Sequence, residues 1–214
     1  MRANVTLCTV GACDKTKVFQ TFDLFFHAVM TDTTMLIKKV QPAEADLLLA
    51  FAERTFRTAY EHLNDPFFFK QYCDTTFLPE RFKMEMEHPQ SSFWFGWIDG
   101  QLAAYLKLNF DQHPVELDSQ RTAQVERLYV EPSLQGRRLG EKMLDFAYEQ
   151  ARSTESEWLW LSVWKANPPA LRFYERCGYE IFGTEIFQVG DDPQEDWLMK
   201  KRVISMPGFI PGFK

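Results

Sequence analysis

The sequence predicts an α+β domain, a mixed and mainly antiparallel sheet flanked by helices. Three observations carry that expectation. The apolar patterning reads strand, helices, hairpin, then strand–helix–strand–helix–strand–strand, a mixed order rather than a regular alternation. "SSFWFGWIDGQLAAYLKLNF" sets Asp99-Gly100, a favoured type I′ pair, between two strand-like runs. "EWLWLSVW" is apolar on both alternating faces, as a central strand covered on both sides must be.

The elements follow in order. Residues 1–34 read as a poorly ordered extension, or as residues upstream of a later translation start at Met30 or Met35. "KVFQTFDLFFHAVM" is apolar after lysines, but Asp23 and His27 interrupt it and no clean cleavage site follows, so it fits neither a secretory signal nor a membrane span. Met35 to Val40 is a strand. A helix follows, with Pro42 in its first turn and Leu48, Phe51, Ala52, Thr55 and Ala59 on one face. "DPFFFKQYC" and "LPERFKMEMEH" are further helical pieces, each begun by a proline, and the Phe67-Phe68-Phe69 cluster is assigned to the core.

After the hairpin, "DQHPVELDSQRTA" is a loop and "QVERLYV" a strand. Gly140 to Arg152 is a helix with Leu139, Met143, Phe146, Ala147 and Ala151 inward. Following the central strand, a helix starts at Pro168 with Asn167 as N-cap and stops at Gly178. "YEIFGTEIFQ" and "DWLMKKRV" are the last two strands, joined by the turn-rich "VGDDPQE". The domain spans 35–203, and 204–214, rich in Pro and Gly, forms a loose tail.

Composition excludes several function classes. At 214 residues with 45% hydrophobic and 25% charged content, the chain is an ordinary globular domain with room for a substantial core. A net charge of −6 argues against nucleic acid, whose phosphates need a basic face, and tolerates a cationic small molecule. The four cysteines form no CxxC, and the four histidines have no zinc spacing. Reduced thiols in a cytoplasmic protein without metal or membrane partner are the expectation. Trp158, Trp160 and Trp164 read as sheet packing.

One turn stands out. "VERLYVEPSLQGRRLGEKML" leads a strand through Gln135, Gly136, Arg137, Arg138 and Gly140 into an amphipathic helix. A helix N-terminus offers unsatisfied N–H groups and partial positive charge; glycines allow close backbone approach and arginines add forked donors. The turn therefore reads as a pyrophosphate cradle, or as a solvated basic turn. It is neither a Walker A loop nor a GxGxxG fingerprint.

"WKANPPALRFYERCGY" then places Asn167 after the central strand and Tyr174 in the following helix. With the first turn, this resembles the GCN5-related N-acetyltransferase (GNAT) superfamily, whose Q/R-x-x-G-x-G/A pattern binds the pyrophosphate of coenzyme A. The chain departs from that pattern at Arg138, where the superfamily has its first glycine. The resemblance covers about residues 35–203. Its order of motifs is most similar to that of bacterial spermidine/spermine acetyltransferases.

The resemblance implies a GNAT fold, acetyl-CoA as co-substrate and a small-molecule amine as acceptor. A homodimer is the assembly it suggests testing. Leu128, Tyr129 and Val130 would offer strand backbone to the pantetheine arm, and Gln135, Gly136, Arg137, Arg138, Leu139, Gly140 and Glu141 would hold the pyrophosphate. Asn167 and Phe173 would flank the thioester end, and Arg176 would approach the adenosine phosphates. Tyr174 matches the tyrosine that protonates the departing thiolate. An alkyl ammonium must lose a proton before it attacks, and Glu126 is the candidate base; a structural ion pair with Arg127 is its other reading. Glu61, Asp65, Asp111 and Glu116 are candidate walls of a cationic acceptor site, or surface charges. The expected activity is acetyl transfer to a polyamine. A protein N-terminus or lysine as acceptor, or a non-catalytic acyl-CoA-binding regulator, are the alternatives.

Overall fold

The structure, a computed structural model, describes residues 34–204 apart from 118 and 120. In chain order the elements are β1 (Leu36–Lys39), α1 (Ala45–Tyr60), α2 (Pro66–Thr76), α3 (Pro79–Glu87), β2 (Ser91–Ile98), β3 (Gln101–Phe110), β4 (Thr122–Val130), α4 (Leu139–Ser153), β5 (Trp158–Trp164), α5 (Pro168–Arg176), β6 (Glu180–Val189) and β7 (Asp192–Arg202). The expectations for the N-terminal extension and the C-terminal tail fall, Thr34 and Ile204 aside, outside the described residues.

The seven strands form one sheet in the order β1-β2-β3-β4-β5-β7-β6. Every neighbouring pair is antiparallel except β4 and β5. That pair is parallel because α4 forms the crossover between them, which a parallel connection requires. Asp99 and Gly100 both take positive φ, as the type I′ turn needs, so the β2–β3 register closes at Ile98↔Gln101.

Two cores sit on the two faces. Leu128, Val130, Leu139, Met143, Ala147, Leu159, Leu161 and Val163 pack β4 and β5 against α4 and α5. Leu48, Phe51, Phe56, Phe69, Phe82, Phe95, Tyr105 and Tyr129 pack α1, α2 and α3 on the opposite face. Each fully buried large side chain contributes about 1.5–3 kcal/mol of transfer free energy. β5 is buried along its length apart from its terminal tryptophans, so it is covered on both sides. Among the described residues no helix is long and apolar enough to cross a membrane.

Two expectations need correction. Only Phe69 of the phenylalanine cluster enters the core; Phe67 is 71% exposed, because α2 presents one face to α1 and residues 67 and 69 lie about 200° apart around it. The β6–β7 connection is much shorter than the turn-rich segment suggested. β7 starts at Asp192 and includes Pro193, which pairs with Gln188. Proline is tolerated there because the β5–β7 ladder begins only at Trp164↔Asp196, so no neighbour on that side needs its N–H. Phe146, expected to point inward, is half-buried against the core and meets Trp94 edge-on, 4.7 Å between centroids.

Candidate active site

The turn before α4 leads into a helix start that no side chain caps. A short 3₁₀ turn, Pro132–Leu134, carries the chain away from β4, and the Gln135 side chain donates back to the Val130 carbonyl at 3.3 Å. Gly136 has φ +79°, where any Cβ is strained. Arg138 is the N-cap of α4 and adopts the left-handed conformation, φ +59° and ψ +19°. A non-glycine residue therefore keeps a conformation that glycine adopts most easily, at a cost of roughly 1–2 kcal/mol. No side chain caps the helix start, so its first N–H groups and the positive end of the helix dipole face outward.

Beside that helix start lies a cavity of about 460 Å³ lined by Val130, Gln135, Gly136, Arg138, Leu139, Gly140, Glu141, Phe173, Arg176 and Cys177. Nine of these are residues the sequence singled out for the co-substrate. The Arg138 guanidinium is turned onto Glu141, Nε to Oε2 at 2.9 Å and Nη2 to Oε1 at 3.1 Å. A cavity bounded by backbone N–H groups, a permissive glycine and two arginines fits a di- or triphosphorylated ligand such as coenzyme A.

Four predicted residues stand elsewhere. Arg137 is exposed on the turn, outside the cavity lining. Asn167 caps α5, accepting from the Ala170 N–H at 3.1 Å. Leu128 and Tyr129 point their side chains into the two cores, which leaves their strand backbone as the contact they can offer. Cys177 was missed in the sequence; its position four residues after Phe173, on the same helical face, was the available signal. Burial pushes its thiol above the usual range.

The sheet opens next to this cavity. The β4–β5 ladder covers Thr122↔Trp158, Ala123↔Leu159 and Gln124↔Trp160 and stops there, although both strands continue. The strands therefore part beyond Gln124 and Trp160, and Val130 at the far end of β4 lines the cavity. Tyr174 lies in α5, fully buried, with its ring edge-on to Phe173 at 5.2 Å and to Tyr179 at 5.9 Å.

Glu126 sits on the other face of β4. Its Oε2 is 2.6 Å from Lys107 Nζ and accepts a short hydrogen bond from Asn109 Nδ2, while Oε1 is 3.1 Å from Arg127 Nη2. Burial alone would raise its carboxyl, but Arg127 and Lys107 outweigh burial and hold it at about 2. Lys107 and Arg127 also hold Glu85 of α3. For Glu126, the ion-pair reading describes what the structure shows. A group held this low is a weak base toward an ammonium.

The acceptor-site candidates have local roles. Asp65 caps α2, accepting from the Phe67 and Phe68 N–H groups, and Glu61 lies 3.7 Å from Arg57. Asp111 and Glu116 are exposed in the loop between β3 and β4. The tryptophans pack as expected: Trp160 donates to the Gln112 carbonyl at 2.8 Å, Trp158 lies beneath Lys200 and Arg202, and Trp164 meets Tyr60 at 6.3 Å.

Comparison with known proteins is consistent with this geometry. Residues 56–179 match the family model of the Acetyltransferase (GNAT) family. An uncharacterized N-acetyltransferase in the pepI 3′ region of Lactobacillus delbrueckii subsp. lactis is 34% identical over 170 residues, covering 78% of this chain and 98% of its own. Among solved structures, the fold is similar to PaiA N-acetyltransferase from Thermoplasma acidophilum in complex with coenzyme A. That match has TM-score 0.62 and 17% identity over 79% of this chain and 99% of that one. It is also similar to spermidine/spermine N-acetyltransferase SpeG from Vibrio cholerae, with TM-score 0.56 and 16% identity over 80% of this chain and 94% of that one.

Proposed function

The chain belongs to the GNAT acetyltransferase family and is an acetyl-CoA-dependent N-acetyltransferase; we propose that its acceptor is a primary alkyl amine, and specifically a polyamine. One observation carries the placement of the chemistry: Val130, at the end of β4 beyond the last β4–β5 pair, lines the cavity at the α4 start, so a ligand held by its phosphates can thread its thioester into the sheet. The resemblance to a spermidine/spermine enzyme supports the polyamine, as does the net charge of −6.

In this reading Gln135, Gly136, Leu139, Gly140 and Glu141 present backbone to the pyrophosphate, and Arg138 and Arg176 add charge from two walls. Arg137 screens the phosphates from solvent. Leu128, Tyr129 and Val130 receive the pantetheine amides as a neighbouring strand would, and an N–H of this segment polarises the acetyl carbonyl. Asn167 and Phe173 close the thioester end. The neutral amine nitrogen attacks the carbonyl carbon, the carbon–sulfur bond breaks, and Tyr174 Oη gives its proton to the leaving sulfur. The proton the nitrogen sheds after attack restores the Tyr174 phenol through water. Glu126 stays ionised within its ion cluster, and the incoming ammonium loses its first proton to water.

Acetyl-CoA-dependent thiol release against spermidine, spermine, lysine peptides and an amine-free blank tests the assignment. Polyamine-driven release supports it. Release with peptides alone, or coenzyme A binding without release for any amine, overturns the polyamine.

A further inference from the structure

We infer that Arg127 is a positioning residue for acetyl transfer: through a buried four-charge cluster it fixes a β-bulge in β4 and so sets the opening between β4 and β5. The inference rests on the reading that the thioester arm lies in that opening.

The bulge is visible in the register. β3–β4 pairing passes from Lys107↔Arg127 to Leu108↔Val125, so Glu126 is an extra residue with no opposite number in β3. A bulge of this kind bends its strand and increases local twist. It also turns two successive side chains, Glu126 and Arg127, to the same face of the sheet. The β4–β5 ladder ends at Gln124, two residues before the bulge, so the bend coincides with the place where the strands part.

Two adjacent side chains on one face of a strand need strong partners, and both have them. Arg127 is 0% exposed. Its Nη2 donates to Glu85 Oε1 at 2.9 Å, and its Nη1 lies 2.7 Å from Glu85 Oε2. The guanidinium also lies over the Phe82 ring at 5.2 Å and the Phe93 ring at 5.9 Å. Lys107 sits 3.1 Å from Glu85 and 2.6 Å from Glu126. Two buried cations face two carboxylates, each cation touching both, and the more exposed Arg81 reaches Glu85 from outside at 3.3 Å. A buried ion cluster is weak evidence for stability; this one is inferred to specify geometry, because a slip would weaken its pairings inside the protein. Here the geometry specified joins α3, β3 and the bulge of β4.

The cradle for the phosphates is anchored separately, at the Gln135 side chain and the start of α4. Loss of the cluster should therefore spare coenzyme A binding and damage alignment at the thioester. The test measures coenzyme A affinity by calorimetry and kcat per folded enzyme in Arg127→Met, Arg127→Lys and Glu85→Gln. The expected result is affinity within threefold of the parent throughout. Turnover should fall at least thirtyfold in Arg127→Met and about fivefold in Glu85→Gln. Arg127→Lys should recover only part of it, because a lysine keeps the charge but loses the two-pronged contact with Glu85 and the stacking over Phe82 and Phe93. Combining Glu85→Gln with Arg127→Met should add little, since both act through one cluster. If Arg127→Met does not fold, Glu85→Gln, which leaves the Arg127–Glu126 pair, decides alone. Folded variants turning over within threefold of the parent, or losing affinity and turnover together, overturn the inference. Failure of the parent to bind coenzyme A would instead overturn the reading on which it rests.

Discussion

Arg54, midway along α1, grips Glu131, the first residue after β4, with two hydrogen bonds of 3.1 and 2.5 Å. The Glu131 N–H in turn donates to the Ala103 carbonyl at 2.8 Å. A helix on one face of the sheet is thereby tied to the root of the cradle, where the chain leaves for the co-substrate cavity. Arg54 is half exposed, so the pair adds at most about 1 kcal/mol to stability. Its effect should appear in binding. Arg54→Ala is expected to leave the melting temperature within a few degrees while raising KM for acetyl-CoA about threefold to tenfold, by loosening the approach to Gln135. An unchanged KM would mean that the cradle is set by α4 alone.

Tyr174→Phe removes one oxygen and keeps the ring packing against Phe173 and Tyr179. A general acid contributes at least about a hundredfold, so kcat should fall by that much with little change in KM or stability. Turnover within threefold of the parent would leave Tyr174 as a packing residue.

The acid side of the stability curve should belong to Glu126. Its folded carboxyl is depressed from 4.5 to about 2, so it favours folding above the unfolded value and loses that contribution as the pH falls from about 4.5 toward 2. Glu126→Gln should flatten this leg in acid denaturation and cost about 3–5 kcal/mol at neutral pH, the usual result of stripping one partner from a buried cluster. In kinetics, kcat/KM should rise with pH toward the amine's own pKa. An inflection near neutrality that vanishes in Glu126→Gln would restore Glu126 as a titrating base.

Arg138→Gly places the superfamily's residue in the left-handed position that Arg138 already occupies. Glycine adopts that conformation without strain, so the variant should fold at least as well. The same change removes a guanidinium from the cavity. KM for acetyl-CoA should rise about threefold to tenfold, and its dependence on salt should weaken. A KM equal to the parent's would show that the guanidinium stays with Glu141 when the ligand binds.

Most of the fold was legible because its signals are local. The helical faces of α1 and α4, the proline starts of α2 and α3, the Asp99-Gly100 turn and the Asn167 cap each depend on residues within a few positions of one another. The candidate cradle stood out for the same reason, since six residues within a stretch of seven line its cavity. The surroundings of Glu126 were not. Glu85 and Lys107 lie far from it in the chain, and the bulge that aims Glu126 and Arg127 to one face breaks the two-residue alternation on which strand reading depends. The exposed Phe67 and the long β6–β7 ladder have a similar cause: what α2 faces and how far a two-stranded ribbon extends are decided by partners in space.

The early end of the β4–β5 ladder has a consequence for the whole molecule. Only three residue pairs join the ladder of β1–β4 to that of β5–β7, so the backbone hydrogen bonding of the sheet has a seam there, bridged by side-chain packing such as Tyr60 against Trp164. In the proposed reading, a ligand lying along that seam would pair with both exposed strand edges. Amide hydrogen exchange at residues 126–130 and 161–164 should therefore be faster than in β3 or β7 in the ligand-free protein. Coenzyme A should slow it on both sides of the seam at once, and raise the melting temperature in step with ligand concentration.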